Sequence, residues 1–313
     1  MTAELKYKAR AALQGHWLNA LLIALIVNLP TLLTEAIASF TGNDLSNRLL
    51  TPARDIFSAG ITQTAADGFR TQAAAILREP GIQWMLVLQM IARLLTPALA
   101  LSMLAWMIGR LRGQEDEGPL AGAFCRIRYT VKAICQRILM VIKVALWMLP
   151  GILLCTGGMV LLQIMTNDAQ NASAFPIRIV ELLCLLGYGL IAVLGIRAAL
   201  HYSLADMVLA DRPRTGALAS IRASAAYMKD RKMQLFLLEL SFIGWNIAVT
   251  LVSSFVGNTA GNVAYLVVQM LGSLALTVYM NTSVAAFYND CCAAENSAGK
   301  TEMKENGRED ESL

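Results

Sequence analysis

The sequence predicts an all-α fold, a polytopic transmembrane helical bundle of about six spans with amphipathic helices at the cytoplasmic interface. Of its 313 residues, 56% are hydrophobic and only 15% are charged, and the mean hydropathy is +0.53. Soluble domains carry about 25% charged residues, so this chain is too apolar for a protein that folds in water. Basic residues flank several of its long apolar runs, as they do in membrane proteins.

The spans follow from the length of the apolar runs, because a membrane-crossing helix needs about 20 predominantly apolar residues. Six segments meet this requirement: Trp17 to Ser39, Gln83 to Ile108, Ile138 to Ile164, Ile179 to Ile196, Gln234 to Val256 and Asn262 to Tyr288. Residues 1–292 therefore form a predicted transmembrane domain. Residues 41–81 form its outer loop, which contains an alanine-rich amphipathic stretch from Thr64 to Arg78.

The distribution of lysine and arginine predicts the orientation. Eighteen of the 26 cationic residues lie in the N-terminal arm, in residues 110–137 and 212–232, and in the tail, whereas five lie on the other face. Since cytoplasmic loops carry an excess of these residues, we expect a protein of the cell membrane with both termini in the cytoplasm. Residues 293–313 carry six acidic and three basic residues and are predicted to be a disordered cytoplasmic tail.

The chain repeats one plan three times, with a short basic amphipathic helix, a tight polar break and then a span. The three copies are Leu5 to Pro30, Phe124 to Pro150 and Ile221 to Trp245. Their breaks are predicted at Ala12 to His16, at Gln136-Arg137 and at Tyr227 to Arg231. The pattern indicates either a true internal repeat or the general preference of inward-starting spans for a basic flank. In both cases the amphipathic helices are expected in the membrane interface.

Ionisable residues within the spans are the first candidates for a functional site, because they are costly in a bilayer. Arg93 is predicted about 15 Å below Gln83, close to the middle of a ~30 Å hydrocarbon core. Lys143, Arg197 and Glu239 are predicted at one depth near the cytoplasmic face, which favours a small ion-pair cluster. The alternatives are packing of Arg93 against free backbone carbonyls and snorkelling of the other two cations.

A polar face on the fifth span supplies the remaining candidates. Asn246, Thr250 and Ser253 follow Glu239 at offsets that place all four residues on one side of a helix. Two interpretations of this face are open. The polar residues either form hydrogen bonds between neighbouring helices or line a polar cavity or solute path next to the sixth span.

No catalytic motif and no cofactor-binding motif is found, and the chain has only two histidines, so no enzyme activity, cofactor or metal site is expected. The basic charge is divided among loops that flank spans. We therefore expect contacts with anionic lipid headgroups at the basic cytoplasmic helices and no binding of nucleic acid. The sequence does not identify a protein partner or an oligomeric state.

Residues 220–245 resemble the domain of unknown function 975 family of bacterial integral membrane proteins. The most specific match is Ser241-Phe242-Ile243-Gly244-Trp245, after Met228-Lys229 and Leu235 to Leu240. Further similar residues are Ala9 to Trp17, Trp147, Pro150-Gly151-Ile152, Tyr202-Ser203, Leu209-Ala210-Asp211, Pro213 and Ala285 to Tyr288. Asp230 and Met233 depart from the family's Gly and Trp. The resemblance implies a polytopic membrane protein and supplies no substrate, cofactor or catalytic residue.

Two functional hypotheses remain. The first is a non-enzymatic membrane interaction or assembly protein that contacts lipid or partner proteins, favoured by the absent catalytic motifs and the basic cytoplasmic helices. The alternative is a small-solute or lipid transporter with a polar path near Arg93 and the Glu239 face of the fifth span.

Overall fold

The computed structural model describes residues 2–41, 48, 63–115, 118–167 and 174–310. Its α-helices, in chain order, are α1 Thr2–Leu13, α2 Trp17–Thr41, α3 Gln63–Arg78, α4 Pro80–Leu111, α5 Pro119–Phe124, α6 Thr130–Asn167, α7 Ala174–Tyr202, α8 Ala205–Asp211, α9 Ala217–Tyr227, α10 Lys232–Ala260 and α11 Asn262–Asp310. A 3₁₀ helix, Ile127–Tyr129, connects α5 to α6. Within the described ranges there is no β-strand, which confirms the all-α prediction.

Six helical segments are long and apolar enough to cross a membrane. They are Trp17–Ala38, Pro80–Leu111, Pro119–Leu161, Arg178–Asp211, Lys232–Thr259 and Ala264–Glu295. Each of them overlaps one predicted span, so the predicted bundle with six spans is confirmed. Several of these segments extend past the predicted limits, because their helices continue into the polar sequence beside the apolar run.

Two of the three predicted breaks lie where the sequence indicates. Gly15 adopts φ +81° in the turn between α1 and α2, a conformation that glycine adopts at no steric cost. The middle break at Gln136-Arg137 is wrong, since both residues lie inside α6 and the break falls at residues 125–129. Gln136 is fully buried, and its side chain contacts Asp206 and Ser220. This polar pair therefore marks a contact between helices.

The amphipathic helices α1 and α9 close one end of the bundle. Leu5 and Leu13 of α1 are buried in the main core, whereas Tyr7 is 74% exposed. On α9, Ile221 is 1% exposed and packs in a smaller cluster with Tyr202. The apolar sides of both helices thus pack against protein, which leaves their polar sides outward.

The main hydrophobic core lies at the same end, and we call this part of the molecule the basic end. It consists of α1, residues 110–115, 118–137 and 203–232, and the segment 288–295 of α11, together with the helix ends packed under them. Large side chains that are almost completely buried in this core come from six different helices: Leu5, Leu13, Ile23, Met107, Leu204, Leu209, Phe242, Phe287 and Tyr288.

The remaining spans form two helical hairpins, α6 with α7 and α10 with α11. Small residues bring α6 and α7 together. A Cβ atom on Gly151 would lie 2.9 Å from the backbone nitrogen of Ile191, and one on Gly187 would lie 3.1 Å from that of Cys155. Close approach of this kind is how membrane helices gain van der Waals contact when lipid removes the hydrophobic driving force.

Two outlying segments complete the fold. Helix α3 covers the alanine-rich amphipathic stretch from Thr64 to Arg78, whereas residues 42–47 and 49–62 of the predicted outer loop lie outside the described residues. Helix α11 continues into the predicted cytoplasmic tail as far as Asp310, and the disorder of that tail stays a prediction. Extending an existing helix requires no new nucleation, so a polar segment joined to a packed helix can remain helical.

Candidate functional site

The intramembrane residues predicted as a site do not converge. Arg93 lies on an exposed face of α4, and no salt bridge or side-chain hydrogen bond to it occurs among the described residues. The ammonium group of Lys143 lies 5.7 Å from the ring centroid of Tyr202, a cation–π contact. Lys143 therefore has an aromatic partner in place of the predicted carboxylate.

The predicted ion pairs of Glu239 with Lys143 or Arg197 are not formed. Arg197 is exposed on α7, and Glu239 is partly buried on α10 with no salt bridge in the described part of the chain. The reason is the pairing of helices, since α7 packs mainly against α6 and α10 packs mainly against α11. An equal depth in the membrane does not make two residues neighbours.

The polar face of α10 is satisfied within its own helix. Asn246 donates to the carbonyl of Phe242 at 3.3 Å, Thr250 to that of Asn246 at 3.0 Å, and Ser253 to that of Val249 at 2.7 Å. These bonds connect residues four positions apart, a common arrangement for hydroxyl groups in membrane helices. Among the described residues, Asn246 and Thr250 thus donate within their own helix and not to a neighbouring helix, and the solute path stays a prediction.

A polar cluster that the sequence analysis missed lies at the basic end, with Asp211 at its centre. The guanidinium of Arg112 donates to both carboxylate oxygens, at 2.5 and 3.0 Å, and the hydroxyl of Tyr288 donates to one of them at 2.9 Å. Arg112 also donates to Asn289 at 3.0 Å. Because Asp211 accepts its hydrogen bonds, the pKa of Arg112 lies above its usual value. The cluster joins the end of α4 to α8 and α11.

A second cluster joins α6, α8 and α9. Asp206 accepts a hydrogen bond from the Gln136 amide at 2.9 Å and forms a salt bridge with Arg137 at 3.1 Å. The hydroxyl of Ser220 donates to the Gln136 carbonyl oxygen at 3.1 Å. In the sequence, Gln136-Arg137 has the composition of a helix break. Its contact with Asp206 joins residues 70 positions apart, so the local sequence does not indicate that contact.

Two further contacts attach α1 and α9 to the last helix. Lys8 forms a salt bridge with Asp290 at 2.9 Å, and this hydrogen bond raises the pKa of Lys8. The Tyr227 hydroxyl donates to Glu295 at 2.8 Å, and its ring meets that of Tyr288 edge to face at a centroid distance of 5.9 Å. Burial raises the pKa of Tyr227, so its phenol stays protonated at neutral pH.

Most cationic side chains of the basic end have no carboxylate partner. Salt bridges there involve Lys8, Arg112 and Arg137. Within the described ranges, no salt bridge includes Lys6, Arg10, Arg110, Arg126, Arg128, Lys132, Arg212, Arg214, Arg222, Lys229, Arg231 or Lys232. Asp206, Asp211 and Asp290 therefore connect helices, and the cations without a carboxylate partner form a positively charged surface around them.

The described residues hold no group of three or more His, Cys, Asp or Glu side chains that could bind a metal ion. Four carboxylates of the basic end contact an amide, tyrosine, arginine or lysine side chain from another segment: those of Asp206, Asp211, Asp290 and Glu295. The arrangement at the basic end can thus lock helices together and attract anions.

Comparison with known proteins gives one match. The model of the family described as "Protein of unknown function (DUF975)" matches residues 1–295. The chain belongs to this family, as its resemblance at residues 220–245 implied. No curated protein and no solved structure matches it.

Proposed function

We propose that this DUF975 protein is a non-enzymatic, multi-pass protein of the cell membrane that contacts lipid or partner proteins through its basic end. Both of its termini then lie in the cytoplasm, where the excess of lysine and arginine belongs by the positive-inside rule. The function is one of interaction or assembly. Anionic lipid headgroups are the proposed ligand, and nucleic acid is not.

The observation that carries this proposal is that the carboxylates and the cations of the basic end have different surroundings. Asp206, Asp211 and Asp290 are held in contacts between helices, whereas exposed cations such as Arg214 and Arg222 have no carboxylate partner in the described residues. A cytoplasmic leaflet attracts each such cation by about 1 kcal/mol. Several of them on one rigid surface favour a membrane that contains anionic lipid.

The packing of the basic end supports assembly in preference to catalysis. Its polar residues cross-connect α1, α4, α6, α8, α9 and α11, and each carboxylate in these contacts faces a donor from another helix. Such contacts hold a surface in a fixed shape. A fixed cationic surface beside the headgroups is suited to bind lipid or a membrane partner.

The test is to extract the protein with its surrounding lipid and to identify the lipids and proteins that remain bound. We expect anionic phospholipid to be enriched over the bulk membrane. Replacing Arg214, Arg222 and Lys229 together with glutamine should reduce this enrichment. Arg70→Gln with Arg78→Gln, on the opposite face, is the control and should leave it unchanged. The proposal fails if neither a lipid nor a protein is enriched with the wild-type chain.

The proposed orientation has its own test. Cys125 and Cys135 are exposed at the basic end, whereas Cys291 and Cys292 are buried. A membrane-impermeant thiol reagent should therefore label the protein in inside-out vesicles and leave it unlabelled in intact cells. If the protein is labelled in intact cells and this labelling is lost when Cys125 and Cys135 are replaced with serine, the orientation is the opposite of the proposed one.

One observation keeps transport as a second candidate function. Glu239 lies in a span without a salt bridge in the described residues, and an unpaired carboxylate in a membrane is a candidate ion or proton site. Glu239→Gln and Arg93→Ala should then reduce solute or proton flux into liposomes. Asp230→Asn, at the exposed turn before α10, is the matched control. Equal flux in the wild type and both variants would remove this candidate.

A further inference from the structure

We propose that a pocket between the end of α4 and helix α5 binds a phosphate group through Arg110 and Arg126, a site that rests on and deepens the lipid-contact function proposed above. The pocket has a volume of about 340 Å³ and is lined by side chains that include Trp106, Arg110, Gln114, Glu115 and Arg126. Both arginines lie at the basic end, where the phosphates of a bilayer are found.

The two arginines have hydrogen-bond donors available for a ligand. The Nε atoms of Arg110 and Arg126 are buried and have no acceptor among the described residues. Arg110 uses one Nη atom on the backbone carbonyl of Gln114 at 2.5 Å, and neither arginine forms a salt bridge within the part of the chain that the structure describes. A buried donor without an acceptor costs about 1–3 kcal/mol. A bound anion would remove this cost at both positions.

The walls of the pocket hold the arginines in place. The backbone N–H of Arg126 donates at 3.1 Å to the hydroxyl of Ser102, which is fully buried on α4. A Cβ atom on Gly122 would lie 2.8 Å from both Ile23 and Trp106, so helix α5 approaches α2 and α4 closely because it has glycine there. The backbone of Arg126 is thus held by this hydrogen bond and by the packing of α5, and the backbone of Arg110 is part of helix α4.

The chemistry of the pocket favours phosphate among anions. A guanidinium group presents paired donors that match two phosphate oxygens, and two guanidinium groups more than neutralise the single negative charge of a phosphodiester. Arg110 is one residue from the end of span-forming helix α4. A lipid phosphate can therefore reach it from the headgroup layer, and a free phosphate ion from the cytoplasm.

Glu115 is the one lining residue that opposes this assignment. Its carboxylate is exposed at the rim and forms no salt bridge in the described chain. It therefore leaves both arginines available, but its charge would repel a bound anion. The assignment consequently predicts that removing this charge strengthens binding.

The test measures ligand binding to the purified full chain after delipidation in detergent. The three probes are a short-chain anionic phospholipid, a zwitterionic phospholipid of the same chain length, and inorganic phosphate. We expect the wild type to bind the anionic lipid, and Arg110→Gln and Arg126→Gln to weaken this binding about tenfold each, as loss of one charge-assisted hydrogen bond implies. Glu115→Gln should tighten it. Binding of inorganic phosphate with the same dependence on both arginines would identify free phosphate as the source.

Arg128→Gln is the matched control, since Arg128 is exposed two residues away and donates to Tyr129. It removes the same charge and should leave binding unchanged. Arg126→Lys, which keeps the charge and loses the paired donors, should give an intermediate affinity. Thermal unfolding of each variant establishes that it is folded.

Three outcomes would overturn the site. The site is excluded if none of the three probes shows binding that depends on Arg110 and Arg126. An equal loss in Arg126→Gln and Arg128→Gln shows that diffuse charge attracts the lipid, which refutes the pocket and retains the proposed function. Equal affinity of the wild type for the anionic and zwitterionic lipids, unchanged in Arg110→Gln and Arg126→Gln and without phosphate binding, contradicts both proposals.

Discussion

Phe242 and Phe255 lie on the same helix, α10, yet Phe242 is 1% exposed and Phe255 is 71% exposed. Phe242 packs at the basic end, with its ring edge to face against Tyr279 and the ammonium of Lys6 at 4.6 Å. Phe255 is near the far end of the hairpin. The difference shows that one end of this bundle is tightly packed from large and polar side chains. The hairpins extend away from that end, and much of their apolar surface faces outward.

The spans show the same contrast along the chain. In the most apolar part of the segment Pro80–Leu111, 56% of residues are buried in the protein, against 11% in Pro119–Leu161. The first segment is a central helix that contacts α2, α5, α6, α8 and α11. The second is mainly packed against α7, and lipid must cover the rest of it. The basic end therefore holds the fold together, and each hairpin depends on its own helix pair.

The largest expected effect is on the polar contacts of the basic end. Asp211→Ala removes an acceptor from both Arg112 and Tyr288 and leaves a partly buried guanidinium without its carboxylate partner. We expect a loss of about 3 kcal/mol in the free energy of unfolding. Thermal or denaturant unfolding in detergent measures it. Asp230→Ala, at an exposed position without a salt bridge, should change stability little, and equal losses in both variants would remove Asp211 from its central role.

The next effect uses the two phenylalanines. Phe242→Ala leaves a cavity in the core, whereas Phe255→Ala changes a side chain that lipid already surrounds. Because lipid is as apolar as the core, only the packing part of the usual penalty remains, and we expect a loss of about 2 kcal/mol for Phe242. Unfolding of the two variants under one condition measures the difference. A loss as large for Phe255→Ala would show that the far end is packed against protein in the membrane.

A smaller effect tests the glycine contacts of the α6–α7 hairpin. Gly151→Ala places a methyl group 2.9 Å from the backbone of Ile191, so the helices must separate, and we expect a loss of about 1 kcal/mol. Gly157→Ala, on the same helix, meets no atom within 4 Å and should be neutral or slightly stabilising, since alanine favours helix. Equal unfolding of the two variants would mean that α6 and α7 are farther apart than the structure shows.

The smallest expected effect is a pH dependence at α1. The pKa of Lys8 is raised by Asp290, so the salt bridge contributes fully below the unfolded-state pKa of 10.5 and its contribution is lost as the pH rises through the higher folded-state value. Both side chains are more than a third exposed, so the contribution is about 0.5 kcal/mol. Asp290→Asn should therefore lose this amount at about pH 8, and the deficit should shrink as the pH rises through the folded-state pKa of Lys8. If the loss of stability in Asp290→Asn persists at high pH, the loss comes from packing and not from the salt bridge.

Local signals in the sequence were sufficient to predict much of the fold. The apolar runs predicted six spans because a bilayer sets a minimum length for a helix that crosses it, and Gly15 and the break before α10 were readable from turn residues. Asp211 and Tyr288 also belong to the residues that carry the family resemblance. Arg112 does not, so their shared contact could not be predicted.

What the tertiary structure alone decided is which polar residues meet. Arg93, Lys143, Arg197, Glu239, Asn246 and Thr250 were predicted from depth and helical face, but depth along the membrane normal does not fix the neighbours of a helix within the membrane plane. Gln136 and Asp206 meet because α6, α8 and α9 pack at one end, and Arg110 and Arg126 line one pocket because Gly122 lets α5 approach α4. The sequence by itself determined the membrane as solvent and the helices as elements, since both depend on local composition. Lateral packing joins residues far apart in the chain, and only the folded structure contains that information.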